Sequence, residues 1–392
     1  MHTLHIPTEE HERRREALLK RASEDGYDGV VLFGALNIHY VSGMYHLPTE
    51  RPTVLGLSDS GTEVVVPRLE QEHAEREAFL HDDVHVYFEY PQGEPMARVA
   101  EMCASLGIET GAVAADSDGS PPRNGYTGPA LSDTVDAAVG VEEYVTTMRE
   151  IKSDAEIDLI REASVWANYG HRLLQETLAV GRRPAVVSAE VAAEGTKTML
   201  DTLGDRYEMM DWASPMTCKF TTGETTARPH SVDQTDPIER GDTVVTVVKP
   251  HVGGYTTELE RTMFVGEPSD EQRTYFDIMT ESQEIAIDTI EPGVEYAAVE
   301  DAVVSYYEEQ GVAEFTQHHI GHNIGMEGHE RPFLDVAYDG EVRAGELYTV
   351  EPGFYVPGVG GFRHSDTVLV TEDGTESLTY YPREIDRLTV DA

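Results

Sequence analysis

The sequence has very few positively charged residues. It holds 29 lysines and arginines against 73 aspartates and glutamates, which gives a formal net charge of −44, and lysine occurs only five times. A chain this acidic repels the phosphate backbone of nucleic acids and the surface of anionic membranes. We therefore expect no nucleic acid and no membrane among its partners.

Cysteine and long apolar segments are also scarce. Only Cys103 and Cys218 occur, so a disulfide framework is not expected. The chain has no run of eighteen apolar residues, and residues 1–26 lack the apolar core of a signal peptide. A cytoplasmic location is the expectation. Because 40% of the residues are hydrophobic and lie in periodic segments, we expect a folded protein rather than a disordered one.

The first part of the chain alternates predicted helices and strands. The predicted helices cover 8–24, 69–80 and 94–106, and the predicted strands cover 28–34, 53–57, 62–67, 84–90 and 111–116. This alternation is typical of an α/β domain, which we assign to residues 1–145.

A second domain, residues 146–392, is predicted to be α+β. Ser153 and Glu156 have the spacing of a capping box ahead of a long amphipathic helix. Further helices are predicted at 184–203, 269–290 and 296–310, and strands at 242–250, 261–266, 346–352 and 367–371. Helices mixed with mostly antiparallel hairpins favour this fold class.

Reactive side chains concentrate in four stretches of the second domain. These are "ARPHSVDQ" (227–234), "GGYTTELERT" (253–262), "HHIGHNIGMEGHERP" (318–332) and "VEPGFYVPGVGGFRHSD" (350–366). They supply His230, Glu258, Glu260, His318, His322, His329, Glu351 and Arg363. Histidines that transfer protons, beside carboxylates that hold a metal or a cation, are what hydrolysis needs.

The order of these motifs resembles that of the pita-bread hydrolases, the group of aminopeptidase P, prolidase, methionine aminopeptidase and creatinase. The resemblance covers nearly the whole chain, from "YVSGMYHLPTERP" through "MREIKSDAEIDLIREA" and "GHNIGMEGHERP" to "LTYYPREI". It implies a creatinase/prolidase-like N-terminal domain and a catalytic pita-bread domain. The acidic composition resembles that of halophilic archaeal proteins.

The metallopeptidases of this group hold two metal ions with five ligands. By resemblance, Glu258, His322 and Glu351 keep three of these positions, whereas Val247 and Ser365 replace the other two. Valine cannot bind a metal, and serine is a poor neutral donor. The resemblance therefore implies either no metal or one divalent ion (Mn, Zn, Co or Fe), because three protein ligands suffice for a mononuclear catalytic site.

Creatinase, which hydrolyses without a metal, provides a second resemblance. Its catalytic histidine lies nine residues before E-R-G-D, as His230 does before Glu239, and its L-E-R-T segment corresponds to Glu260. This implies that His230 moves the proton of the attacking water, while Glu260 and Glu351 hold a cationic or amide-bearing substrate.

Other residues match positions that contact substrate. His318, His329 and Arg363 match positions in aminopeptidase P that contact substrate and move protons, and Arg331 and Arg51 are further substrate-binding candidates. Arg51 resembles an arginine that reaches the active site of a partner subunit. The roles of Lys249, His251 and His364 stay open, and His319 is expected to be structural or exposed.

Three functions fit these observations. The first is a creatinase-like hydrolase of a C–N bond in a small amide, amidine or dipeptide-like substrate, without a dinuclear metal centre. The second is a mononuclear metal-dependent Xaa-Pro dipeptidase or aminopeptidase. The third is a non-catalytic pita-bread binding protein, which we rank last because His230 and Glu260 are both present.

The resemblance of Arg51 predicts a homodimer with shared active sites. Light scattering after size exclusion in molar salt should give twice the mass of the 43.4 kDa chain. A monomer with full activity would contradict the shared site.

Overall fold

A computed structural model describes residues 4–76, 81–207, 209, 214–232 and 235–391. The described chain forms two compact units. One holds Ile6–Arg149, and the other holds the chain from Glu150 onward together with Leu4 and His5. The sequence-based domain bounds, 1–145 and 146–392, differ from this division by a few residues and remain a prediction.

The first unit is an α/β fold around one mixed sheet. Its helices are α1 (Thr8–Glu24), α2 (Ala35–Ser42), α3 (Gln71–Arg76), α4 (Pro95–Ser105) and α5 (Tyr144–Met148). Its strands are β1 (Gly29–Leu32), β2 (Val54–Ser58), β3 (Gly61–Pro67), β4 (Asp83–Tyr87), β5 (Ala112–Ala115) and β6 (Ala138–Val141). The strand order is β4-β3-β2-β1-β5-β6. The β1–β2 and β2–β3 pairs are antiparallel and the other pairs are parallel. Residues 77–80 of the predicted helix 69–80 lie outside the described residues.

The core of this unit lies where α4 packs on the sheet. Val31 and Val54 of the sheet and Met102 and Cys103 of α4 are fully buried in one apolar cluster. Burial raises the pKa of the Cys103 thiol to about 12. Neither of the two cysteines forms a disulfide, as expected.

The second unit packs two helix pairs against sheets whose described strands are antiparallel except for one parallel pair. Its helices are α6 (Asp154–Thr177), α7 (Pro184–Leu203), α8 (Asp270–Thr289) and α9 (Tyr296–Gln310). Its strands are β7 (Met216–Thr222), β8 (Thr243–Val252), β9 (Tyr255–Thr256), β10 (Thr262–Val265), β11 (Gly321–Asn323), β12 (Glu330–Leu334), β13 (Leu347–Val350), β14 (Gly353–Val356), β15 (Gly360–Arg363), β16 (Asp366–Thr371), β17 (Gly374–Ser377) and β18 (Thr389–Val390). One sheet runs β18-β10-β8-β7 with β9 on β8, another runs β12-β11-β13-β16-β17, and β14 pairs with β15. The parallel pair is that of β10 and β18.

The long helices begin where the sequence predicts. Ser153 and Glu156 form the predicted capping box at the start of α6, with the Ser153 N–H donating to the Glu156 carboxylate at 2.9 Å. Ser269 and Gln272 form a second capping box at the start of α8. No helix in the described part of the chain is both long enough and apolar enough to cross a bilayer.

Arg261, just before β10, is the most heavily bonded buried cation of the second unit. Its side chain is fully buried, and all five of its N–H groups have acceptors. The acceptors are the Pro382 carbonyl at 2.9 Å, the Glu260 carbonyl at 2.7 Å, the Ser365 carbonyl at 3.1 Å, the Tyr381 carbonyl at 2.8 Å and the Asp366 carboxylate at 2.9 Å. The guanidinium thus joins the chain before β10, the start of β16 and the C-terminal segment.

We predict that Arg261→Met lowers the free energy of unfolding by about 3–5 kcal/mol, because it leaves the buried Asp366 charge without its partner. Urea unfolding in molar KCl measures the loss. Arg172→Met is the matched control, because the Arg172 side chain is 61% exposed, and it should change stability by no more than about 0.5 kcal/mol. Equal effects of the two substitutions would contradict the prediction.

Candidate active site

Two of the candidate carboxylates come from one extended segment between β9 and β10. Glu258 and Glu260 flank Leu259, whose side chain is fully buried. Alternate residues of an extended chain point to the same side, so the two carboxylates face together while Leu259 faces the core. The Glu260 N–H donates to the Ser365 carbonyl at 3.0 Å, and the Ser365 N–H donates back at 3.2 Å. This exchange sets the position of Glu260.

Glu351 and His322 come from neighbouring antiparallel strands. His322 of β11 lies opposite Thr349 of β13, and Glu351 follows the end of β13. The Glu351 N–H donates to the Ile320 carbonyl at 2.8 Å, and this bond keeps the end of β13 beside the start of β11. The His322 ring is fully buried, and its Nε2 lies 3.2 Å from Oε1 of Glu351.

Two cations neutralise these carboxylates. The Lys249 ammonium of β8 forms an ion pair with Glu258. The Arg363 guanidinium at the end of β15 holds both oxygens of Glu260, with Nη2 at 2.8 Å, and its Nε lies 3.9 Å from Glu351. The role of Lys249, which stayed open in the sequence, therefore includes charge neutralisation inside the site.

The close packing of these charges shifts their pKa values. Burial raises the pKa of Glu260 to about 8 against the opposing effect of Arg363, and the carboxylates of Glu258 and Glu351 raise it further. Burial also favours a higher pKa for Glu351, but the contact with His322 and the charge of Arg363 hold it well below its usual range. Burial lowers the pKa of Lys249, and its carboxylate neighbours outweigh this effect and raise it, so Lys249 stays an ammonium.

A hydrogen-bonded chain runs from Arg363 to His318 through Tyr355. Arg363 Nη1 donates to the Tyr355 hydroxyl at 2.9 Å, and His318 Nε2 lies 2.8 Å from the same hydroxyl. The other ring nitrogen of His318 donates to the His319 carbonyl at 2.7 Å. Burial lowers the pKa of His318, so the neutral ring accepts from Tyr355 at Nε2. Tyr355 was not among the sequence candidates, since a tyrosine in a buried strand has no distinguishing signal.

Two further histidines surround His322. His329 stacks on the His322 ring with centroids 3.8 Å apart. His319 meets the His322 ring edge-on at 5.8 Å and packs against Phe333 at 5.4 Å. His319, which the sequence predicts to be structural or exposed, has a half-buried ring in the wall of the same cavity as Glu351.

The candidate residues converge on one cavity of about 590 Å³. Its wall includes the predicted residues His230, Glu258, Glu260, His318, His329, Glu351 and Arg363, and also Val247, Lys249 and His319. His322 is fully buried and contacts Glu351 at 3.2 Å. His230 is exposed, in the turn that follows the short 3₁₀ segment Gly223–Ala227. The catalytic and substrate-binding roles of these residues remain predictions.

Arg51 and Arg331 make other contacts. Arg51 belongs to the first unit, where it pairs with Glu50 and, at 2.9 Å, with Glu89. Arg331 Nε lies 3.2 Å from a carboxylate oxygen of Glu150. Their predicted contacts with substrate remain predictions. His364 is fully buried and packs edge-on against Phe276 at 5.2 Å.

Several of these residues could hold a metal ion. Two groups of three residues bring ligand atoms within 4.8 Å of one another, namely His319, His322 and Glu351, and Glu258, Glu260 and Glu351. His322 Nε2 is fully buried and has no well-aligned hydrogen bond within the described residues, which is the condition of a free ligand nitrogen. By the family resemblance, two further ligand positions correspond to the aliphatic Val247 and the neutral Ser365.

Comparisons with known proteins identify relatives along the whole chain. The model of metallopeptidase family M24 matches residues 158–372, and the model of the creatinase/prolidase N-terminal domain matches residues 14–151. The Xaa-Pro dipeptidase of Pyrococcus horikoshii is 27% identical over 368 residues, which are 94% of this chain and 97% of that protein.

Solved structures of dipeptidases are also similar to this chain over nearly its full length. The dipeptidase PepE from Mycobacterium ulcerans is 26% identical with a TM-score of 0.81, over 99% of this chain and 100% of that one. The Xaa-Pro dipeptidase from Bacillus anthracis is 25% identical with a TM-score of 0.81, over 97% of this chain and 99% of that one. The predicted fold class, an α/β domain followed by an α+β pita-bread domain, is confirmed.

Because Val247 and Ser365 replace two ligands, we predict that no more than one divalent ion per chain binds in the cavity. Elemental analysis after gel filtration in molar KCl measures the ratio, since the salt removes ions that adsorb to the acidic surface. Glu351→Gln is the control that should lose the specific ion. Two ions that survive this treatment in the unaltered chain, and are lost in Glu351→Gln, would contradict the prediction.

Proposed function

Because the chain belongs to metallopeptidase family M24, we propose that it hydrolyses dipeptides of the Xaa-Pro type in the cavity around Glu351. The broader prediction of a hydrolase is confirmed by the family and by the dipeptidases that resemble the chain. The finer assignment follows the second of the three functions considered from the sequence. The creatinase-like reading gains no specific support from these relatives.

The names of the relatives and the character of the cavity support the substrate class. Proteins similar over nearly the full chain carry the name Xaa-Pro dipeptidase. A volume of about 590 Å³ lies within the range of small-molecule sites, roughly 300–1,000 Å³. The wall offers carboxylates for the ammonium group of a dipeptide and Arg363 for its carboxylate.

The observation that carries the proposal is the convergence of Glu258, Glu260, Glu351 and His322 on one buried locus. His322 and Glu351 would hold a single divalent ion, with Glu258 as the third ligand that the family resemblance implies. When bound, such an ion supplies Lewis-acid polarisation of the scissile carbonyl and lowers the pKa of water.

The remaining residues orient the substrate and move protons. The hydrogen-bonded chain from Arg363 through Tyr355 holds His318 in one tautomer. Both ring nitrogens of His318 are engaged in hydrogen bonds, so this residue orients the substrate and does not act as a base. His329 and His230 present imidazoles to the cavity, and burial lowers the pKa of His329 to about 4, so its neutral ring is a proton acceptor. Either imidazole can take a proton from the attacking water and pass it to the leaving nitrogen.

One observation favours a metal-free hydrolase as a second candidate. Lys249 and Arg363 already pair with two of the three carboxylates, so the wall carries little uncompensated charge without any ion. In that mechanism His230 moves the proton of the attacking water, and Glu260 with Glu351 holds a cationic or amide-bearing substrate, as the resemblance to creatinase implies.

We predict that Glu351→Gln lowers kcat/KM for an Xaa-Pro dipeptide by at least about 10²-fold, because Glu351 contacts the ion or the substrate in either mechanism. Product release from Ala-Pro and from creatine, followed by chromatography in molar KCl, measures the effect. Glu314→Gln, on an exposed glutamate, is the control and should keep the activity. Hydrolysis of creatine but not of the dipeptide would contradict the proposed substrate.

Further variants separate the two mechanisms. If an ion is required, chelator abolishes activity, divalent metal restores it, and Glu260→Gln has a mild effect. If the site works without metal, chelator has no effect, and both His230→Ala and Glu260→Gln lower turnover by at least about 10²-fold. Activity that survives chelation and is lost in His230→Ala would replace the metal-dependent proposal with the metal-free one.

A further inference from the structure

When the His322 ring is neutral, its contact with Glu351 places two acceptors face to face. His322 Nδ1 donates to the Asn323 carbonyl at 3.0 Å, so Nδ1 carries the hydrogen. In the neutral ring Nε2 then holds a lone pair, and this lone pair lies 3.2 Å from a carboxylate oxygen of Glu351. Two buried lone pairs at this distance repel each other unless a proton or a metal ion lies between them.

The separation suits a shared metal ion. Ligand bonds of about 2.0–2.1 Å at tetrahedral angles put neighbouring ligand atoms roughly 3.3 Å apart. His322 Nε2 and Glu351 Oε1 lie 3.2 Å apart without a well-aligned hydrogen bond. Their arrangement is that of one edge of a coordination tetrahedron.

His319 provides a third ligand next to this edge. One of its ring nitrogens lies within 4.8 Å of the ligand atoms of His322 and Glu351. Phe333 packs against its ring and supports it, and the ring forms part of the cavity wall, where solvent can supply a fourth ligand.

Glu258, the third ligand that the family resemblance implies, has a cation already. Lys249 pairs with it, and the Glu258 side chain is only 3% exposed. A metal ion at Glu258 would have to displace or repel this ammonium. His319 has no cation beside it among the described ion pairs of the site, so coordination there needs no such displacement.

We propose that His319, His322 and Glu351 form a mononuclear divalent-cation site from which the Lys249–Glu258 ion pair excludes Glu258. Two imidazoles and one carboxylate favour Zn²⁺, Co²⁺ or Fe²⁺ over Mg²⁺ or Ca²⁺, which prefer oxygen ligands. The inference rests on the proposed function only for the use of the ion, and metal binding tests it without any peptide assay.

The test measures Zn²⁺ affinity of the whole chain after chelator dialysis, by competition with a chromogenic chelator in molar KCl. His319→Ala should weaken binding by at least about 100-fold, since loss of an outer hydrogen-bonding partner alone costs about 10–100-fold. Glu258→Gln should keep the affinity within about threefold. His230→Ala is the matched control and should keep the affinity, because it removes an exposed cavity imidazole that belongs to neither group of ligand residues. Circular dichroism checks that each variant is folded.

Each outcome decides the proposal. Loss of binding in His319→Ala with retention in Glu258→Gln supports it, as does a visible Co²⁺ spectrum of tetrahedral type that disappears only in His319→Ala. Loss in Glu258→Gln with retention in His319→Ala overturns it in favour of the ligand set that the family implies. Absence of Zn²⁺ binding to the unaltered chain also overturns it and leaves a proton between His322 and Glu351. Zn²⁺ at this site without cleavage of Ala-Pro would refute the proposed substrate but not the site.

Discussion

The second unit depends on one buried guanidinium. Arg261 gives four of its hydrogen bonds to backbone carbonyls of segments that are far apart in sequence and the fifth to the Asp366 carboxylate. Because the carbonyls of Glu260 and Ser365 both bind the same Nη1, the two segments cannot separate without leaving buried acceptors unpaired, which is costly. The positions of Glu260 and of the strand after Arg363 follow from this constraint.

The cavity follows a second constraint, the balance of charge. Glu258, Glu260 and Glu351 are all buried, and buried carboxylates in contact need cations nearby. Lys249 and Arg363 supply two of these cations from strands β8 and β15. Glu351 shares Arg363 with Glu260, at 3.9 Å, and its closer contact is the His322 ring at 3.2 Å, so an exchangeable proton or ion belongs between Glu351 and His322.

Much of this arrangement could be predicted from the sequence. The remainder could not, because it depends on contacts that no local sequence pattern reports. Hydrophobic periodicity and capping residues predicted α6 at Ser153, and the resemblance in motif order predicted seven of the residues that line the cavity, whereas Arg51 and Arg331 are not among its described lining residues. The Lys249–Glu258 pair depends on the register of Val248 against Leu259, which no local pattern reports. Arg261 binds mostly backbone carbonyls, so no side-chain motif in the sequence identifies its partners. The place of His319 beside His322 depends on the direction of its ring, which only the structure gives.

The scarcity of lysine has a consequence for chemical labelling. Lys152 is buried against Asn323 and Glu330, with 1% of its side chain exposed, and Lys249 is committed to Glu258 with 26% exposed. Lys20 and Lys197, at 78% and 66%, are open to solvent, and Lys219 is exposed on β7. Amine reagents must therefore modify the open lysines first and reach Lys249 only when its ion pair opens. Because the chain has only five lysines, mass spectrometry on the unaltered protein can follow each of them. The rate of acylation at Lys249 then measures how often the cavity wall moves.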